Sequence, residues 1–158
     1  MIHIDDLEAY SEAHGDRYEI RVKLLGMEAG GKDLGCMLHE IPPGKESWPY
    51  HFHWANEESI YVLAGQGTLR TPQGEVAVGP GDYMAFPVGP EYAHQMINRG
   101  KEPLRYLCFS TMIVPEIAEY PDTPGKMALF LDCAPGRPQG QRRFGFFKDG
   151  GYWDGIEK

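Results

Sequence analysis

Three histidines and one glutamate have the residue types and spacing of a metal-binding set. His51 and His53 are two positions apart, and side chains at positions i and i+2 of a strand point to the same face. Their imidazoles would therefore face one point. Glu58 follows a short turn and opens an apolar strand, and His94 can bring a third imidazole from a later segment. We expect His51, His53, Glu58 and His94 to be metal ligands.

The donor set restricts the metal. Mixed imidazole nitrogen and carboxylate oxygen ligands suit iron, manganese, zinc, nickel or copper better than calcium or magnesium. In an octahedral site, four protein ligands leave positions open for water or substrate. Three neutral imidazoles and one carboxylate leave a net charge of about +1 at a divalent ion, which favours anionic oxygen ligands. We expect one divalent transition metal ion per chain, with iron, manganese, zinc and nickel as the leading choices.

Glu57 is the alternative to Glu58 as the carboxylate ligand. Glu58 shares the strand parity of Ile60 and Val62, whereas the parity of Glu57 would turn it outward. The remaining histidines are interpreted as ordinary core or surface residues: His3, His14 and His39.

Two segments resemble the two sequence motifs of the cupin superfamily. Residues 44–65 contain a glycine, the His-x-His pair, the glutamate and a closing glycine. Residues 81–98 resemble the second motif through Pro87, Gly89, His94 and Asn98. The stretch before His51 is one residue longer than in the motif, and that before His94 is two residues longer. We interpret both as loop variation at the mouth of a barrel.

The resemblance implies an all-β fold, the cupin double-stranded β-helix or jelly-roll barrel. Residues 119–122 and 152–155 are also similar to pieces of a poorly characterised single-domain cupin subgroup. Cupins include dioxygenases, isomerases, decarboxylases and hydrolases, so the resemblance does not choose a reaction. Small cupins commonly pair, and we therefore expect a homodimer.

Short apolar segments separated by turn residues are typical of an all-β chain. A helical turn is expected near Asp5–Ala13. We expect an N-terminal segment (residues 1–33) packed on the barrel, the barrel with both motifs (34–112), and a C-terminal extension (113–158) that completes the barrel surface or a dimer contact. The predicted strands are Arg17–Leu25, Leu34–Ile41, Trp48–His53, Glu58–Ala64, Gly67–Thr71, Glu75–Val78, Asp82–Phe86, Ala93–Asn98, Leu104–Thr111 and Met127–Leu131.

Composition limits the partners and the location. A length of 158 residues suits one domain. The formal charge of −8 argues against nucleic acid. No apolar run approaches the roughly 18 residues of a membrane span, and the first residues lack the pattern of a signal peptide, so we expect a cytoplasmic protein. The three cysteines form no CxxC pair and are interpreted as free thiols: Cys36, Cys108 and Cys133.

The C-terminal segment 144–153 contains five aromatic residues. Exposed, they would present a large apolar surface, so we expect this segment to be folded against the barrel or a partner chain.

Two function classes remain open. The first is a metal-dependent enzyme acting on a small oxygenated molecule such as a carboxylate, enol, diol or sugar. The second is a binding or sensing module that uses the metal to hold a small molecule without turnover. We favour the enzyme over the binding module. The intact ligand spacing counts against a third class, a storage or purely structural barrel. No general base stands out, although three tyrosines are candidates: Tyr50, Tyr61 and Tyr106.

Overall fold

Short strands dominate the computed structural model, which describes residues 1–134, 136–152 and 154–156. The helical elements in these residues are a four-residue helix, α1 (Leu25–Glu28), and two 3-10 turns, Ile4–Asp6 and Pro90–Tyr92. The strands are β1 (Tyr10–His14), β2 (Tyr18–Lys23), β3 (Leu34–Ile41), β4 (Phe52–His53), β5 (Glu58–Ala64), β6 (Gly67–Thr71), β7 (Gly74–Val78), β8 (Tyr83–Phe86), β9 (Gln95–Ile97), β10 (Leu104–Thr111), β11 (Glu116–Glu119), β12 (Lys126–Phe130) and β13 (Arg142–Phe146).

The strands form three antiparallel sheets. The six-stranded sheet has the order β1-β2-β3-β10-β5-β8, the four-stranded sheet β13-β12-β11-β4, and the three-stranded sheet β7-β6-β9. The all-β prediction is confirmed. No helix in the described part of the chain has the length and apolar character needed to cross a membrane.

Four predicted strands have the observed bounds, namely β3, β5, β6 and β10. The helical turn expected near Asp5–Ala13 is wrong for most of its length. Only Ile4–Asp6 is helical, and Tyr10–His14 forms β1, which pairs with β2. Backbone pairing along a sheet edge decides the structure here, because the polar sequence of β1 has no strand alternation of its own.

The inner face of the six-stranded sheet is built in rows across β3, β10 and β5. Each row takes one residue from each strand: His39, Tyr106 and Val62; Met37, Cys108 and Ile60; Gly35, Ser110 and Glu58. Val62 and Ile60 are almost fully buried. Each such side chain contributes about 1.5–3 kcal/mol through removal from water. The rows place Glu58 at one end of an apolar wall and His39 near the other.

Gly65 ends β5 where only glycine fits. Its φ is +81°, a conformation that side chains with a Cβ rarely adopt. A Cβ at this position would also collide with the backbone of Pro103 and Leu104. The closing glycine of the first motif is thus required by the turn into β6.

The C-terminal segment is folded through β13, which pairs with β12 from Arg142 to Phe146. The described aromatic rings of segment 144–153 are exposed in the single chain, and Phe146 is 75% and Tyr152 87% exposed. Burial against the barrel is therefore not seen for these residues, and contact with a partner chain stays a prediction. Trp153 lies outside the described residues.

Candidate metal centre

A pair of backbone hydrogen bonds joins the two segments that carry the histidines. The His51 N–H donates to the carbonyl of His94 at 3.2 Å, and the His94 N–H donates to the carbonyl of His51 at 2.9 Å. This bridge brings residues 43 positions apart in sequence (94 − 51) directly opposite each other. The ring centroids of His51 and His94 are 5.0 Å apart, the same separation as those of His51 and His53.

Glu58 is buried at the start of β5, whereas Glu57 is exposed. Glu58 Oε2 lies 3.4 Å from Nε2 of His53 and 3.4 Å from Nε2 of His94. The thiol of Cys108 lies 4.0 Å from the other oxygen, Oε1. The strand parity predicted for Glu58 over Glu57 is therefore seen in the structure.

All four side chains predicted as ligands converge on one volume. One possible ligand atom from each of His51, His53 and Glu58 lies within 4.8 Å of the others. His94 flanks this group through its contact with Glu58. Phe86 stacks on the His94 ring, with centroids 3.8 Å apart, and fixes its plane.

Each imidazole has an oxygen facing its Nδ1 atom. His51 Nδ1 lies 2.8 Å from the carbonyl of Pro49, and His94 Nδ1 lies 3.1 Å from that of Tyr92. A carbonyl oxygen only accepts, so the proton belongs on Nδ1 and the Nε2 lone pair is free. His53 Nδ1 faces Oε1 of Glu116 at 3.4 Å. This distance is within the range of an ion pair but longer than a typical hydrogen bond.

The buried nitrogens of His53 fit a metal. Neither ring nitrogen makes a hydrogen bond within the described residues, although His53 is only 6% exposed. A buried polar atom without a partner requires an explanation. Imidazole Nε2 atoms and a carboxylate oxygen around one point are typical ligands of a divalent transition metal. Such a metal would give the Nε2 atom of His53 a partner.

The electrostatics also favour a cation. Burial lowers the pKa of His53, but Glu58 and Glu116 outweigh it and raise the pKa to about 10. Burial opposes ionisation of Glu58, yet His53 and His94 hold its pKa well below the usual range. Burial and the neighbouring imidazoles lower the pKa of His51 to about 3. The cluster therefore stabilises one positive charge beside the Glu58 carboxylate.

The four side chains lie in the wall of a cavity of about 250 Å³. Apolar side chains supply much of the remaining wall, among them Met37, Ile60, Met96 and Phe130. Polar groups are fewer and more widely spread: Tyr10, Glu12, His39, Ser47, Tyr106, Tyr120 and Arg142. Glu12 and Arg142 are exposed, so the edge strands β1 and β13 border the opening.

His39, interpreted from the sequence as an ordinary core or surface histidine, is a buried residue of the cavity wall. It is 4% exposed and has an Nε2 atom without a hydrogen-bond partner in the described residues. Burial lowers its pKa to about 4. Tyr106 packs edge-on against it at 5.1 Å. The sequence pattern indicates this position, because His39 shares the inward strand parity of Met37 and Ile41.

Of the three tyrosines considered as proton-transfer groups, Tyr106 lines the cavity. Burial raises its pKa well above 10. Tyr61 is 40% exposed, and Tyr50 packs its ring under the guanidinium of Arg70 at 4.1 Å. Sequence reasoning missed the positions of three residues near the site, because the segments that carry them lie outside both motifs: Glu116, Tyr120 and Arg142.

Comparison with known proteins identifies the fold family. A family model described as a cupin domain matches residues 37–110. The structure of a sugar phosphate isomerase of the cupin superfamily from Silicibacter pomeroyi superposes with a TM-score of 0.78, at 27% identity, over 92% of each chain. The chain belongs to the cupin superfamily. The jelly-roll barrel predicted from the motifs is confirmed.

Two further proteins are similar to this chain. A protein structure from Acidithiobacillus ferrooxidans matches with a TM-score of 0.76 and 29% identity over 90% of this chain and 87% of that one. A glucose-6-phosphate isomerase from Thermococcus kodakarensis is 32% identical over an alignment of 115 residues, and the match covers 65% of this chain. The alignment spans 60% of that protein's length.

Proposed function

We propose that this cupin is a metal-dependent enzyme acting on a small oxygenated molecule, and specifically that it interconverts the aldose and ketose forms of a phosphorylated sugar. The observation that carries the proposal is the convergence of His51, His53, Glu58 and His94 in the wall of a cavity that opens between β1 and β13. These residues would hold one divalent transition metal ion per chain.

The relatives support the narrower part of the proposal. The Silicibacter pomeroyi protein is a sugar phosphate isomerase and the Thermococcus kodakarensis protein a glucose-6-phosphate isomerase. The first aligns over nearly the whole of this chain, including the strands on both sides of the family match. A shared fold alone does not fix a reaction, so the argument depends on the cavity as well.

A bound divalent ion would supply Lewis-acid stabilisation of negative charge on a substrate carbonyl or hydroxyl oxygen. The protein's own groups bind and orient the rest of the molecule. Tyr106 stays protonated and can donate a hydrogen bond, while neutral His39 can accept one from a substrate hydroxyl. The apolar wall excludes water, which strengthens these polar contacts.

Arg142 suits the anionic end of such a substrate. Five arginines have a carboxylate within 4.0 Å: Arg17, Arg21, Arg70, Arg99 and Arg105. Within the described residues, no such ion pair involves Arg142. It lies on the cavity wall, and its charge lowers the pKa of Tyr10 and Tyr120 against the upward effect of their burial. The Arg142 guanidinium lies 6.0 Å from the centre of the Phe144 ring and has no carboxylate partner among the described residues, so its N–H groups can bind a phosphate through paired hydrogen bonds.

The test is an isomerisation assay in D2O. Glucose 6-phosphate, ribose 5-phosphate and mannose 6-phosphate are each incubated with protein loaded with iron, manganese, zinc or nickel. NMR then follows ketose formation and the incorporation of solvent deuterium at C1 of the ketose and, through the reverse reaction, at C2 of the aldose. We expect turnover of at least one sugar phosphate, loss of turnover after chelation, and recovery with metal. Tight binding without turnover for every sugar would instead support a binding module.

A further inference from the structure

Among the described residues, Glu116 is the most deeply buried carboxylate outside the four ligand candidates. It opens β11, in the C-terminal region beyond the family match, and its side chain has no exposed surface. A charge removed from water in this way requires several compensating partners. Its partners all come from the segment that carries the histidine pair.

Three hydrogen bonds bind this carboxylate to the turn between His53 and Glu58. Oε1 accepts from the Trp54 N–H at 3.2 Å, and Oε2 accepts from the Asn56 N–H at 2.7 Å. The Asn56 side-chain amide also donates to Oε2. Glu116 therefore fixes the path of the backbone between two of the ligand candidates.

The same carboxylate faces His53 from behind. Its Oε1 lies 3.4 Å from His53 Nδ1, while Nε2 of the same ring points to Glu58 Oε2, also at 3.4 Å. His51 and His94 have backbone carbonyls at the corresponding position. His53 thus differs from the other two imidazoles in having a carboxylate as its partner.

We propose that Glu116 is a positioning residue of the metal centre, which accepts the Nδ1–H of His53 and holds its Nε2 toward the ion. The inference rests on the proposed metal binding. A carboxylate behind a metal-bound imidazole sets its tautomer, orients the ring and increases its basicity, and the loss of such a partner lowers metal affinity about 10- to 100-fold. The C-terminal β11 is then part of the metal site.

The test compares Glu116→Gln with Glu119→Gln in the full-length protein. Glutamine keeps the shape of Glu116 and one acceptor oxygen, enough for one of the two backbone N–H groups, but removes the charge. Glu119 lies on the same strand and accepts a hydrogen bond from Trp54 Nε1 at 3.2 Å, so it is a matched control. Zinc affinity is measured by competition with a chromophoric chelator, and the melting temperature of each metal-free protein is recorded separately.

We expect zinc affinity to fall at least tenfold in Glu116→Gln and to change less than twofold in Glu119→Gln. Nitrogen-15 NMR of zinc-loaded wild-type protein should show a His53 Nδ1–H that is further downfield and exchanges more slowly than those of His51 and His94. This spectrum decides the matter if Glu116→Gln does not fold. Wild-type zinc affinity in folded Glu116→Gln, or a His53 Nδ1–H like those of the other two, would overturn the inference. Failure of the wild type to bind zinc or any other transition metal would instead remove the metal site itself.

Discussion

Replacement of His39 by phenylalanine should make the protein less sensitive to acid. Burial lowers the pKa of His39 from 6.5 to about 4, although the Glu58 charge opposes the shift. The unfolded chain therefore binds this proton more tightly than the folded chain, and His39 destabilises the fold progressively as the pH falls from 6.5 toward 4. This difference in proton binding lowers the free energy of unfolding by about 2 kcal/mol at pH 5 and about 3 kcal/mol at pH 4.

The assay is urea unfolding of metal-free wild-type and His39→Phe protein between pH 7 and pH 4. Phenylalanine retains the ring packed on Tyr106, so the two free energies of unfolding should diverge by about 2 kcal/mol between pH 7 and pH 5 in favour of the variant. His14→Phe, at an exposed position, controls for the introduction of a phenylalanine. If the free energies of unfolding of wild type and His39→Phe changed in parallel with pH, the burial argument would be refuted.

Three other predictions concern the site and the assembly. Glu58→Ala should weaken zinc binding at least a hundredfold in chelator competition and Glu57→Ala less than twofold; the reverse order would mean that the ligand register is wrong. Arg142→Gln should raise the KM for the sugar phosphate five- to tenfold with little change in kcat, because an exposed charged contact contributes about 1 kcal/mol, whereas Arg143→Gln, on the opposite face of β13, should not. Light scattering should give about twice the chain mass of 17.8 kDa, and the monomer mass at micromolar concentration would reject the homodimer.

The sequence predicted the barrel strands well where local pattern and fold agree. β5 and β10 alternate between buried and partly exposed residues, and their observed bounds match the predicted ones. The burial of Glu58 and the exposure of Glu57 could also be predicted, because strand parity alone distinguishes the two side chains. Both inferences use information carried within a few residues of each other.

The missed features depend on pairing with another strand and not on the pattern of the segment itself. β1 is polar and becomes a strand only because β2 offers it an edge, and Glu116 acquires a role only because β11 pairs beside His53. Nothing adjacent to Glu116 in sequence indicates a buried carboxylate. Arg142 reaches the cavity through the pairing of β13 with β12, so its place could not be read from the segment itself.

Elemental analysis of the purified protein tests the central claim most directly. If His51, His53, Glu58 and His94 form one metal centre, wild-type protein reconstituted with iron, manganese, zinc or nickel should contain about one equivalent of a divalent transition metal per chain. The folded double variant His51→Ala/His53→Ala should contain essentially none. Folded wild-type protein that retains no metal after reconstitution, or a double variant that still retains one equivalent, would contradict the account.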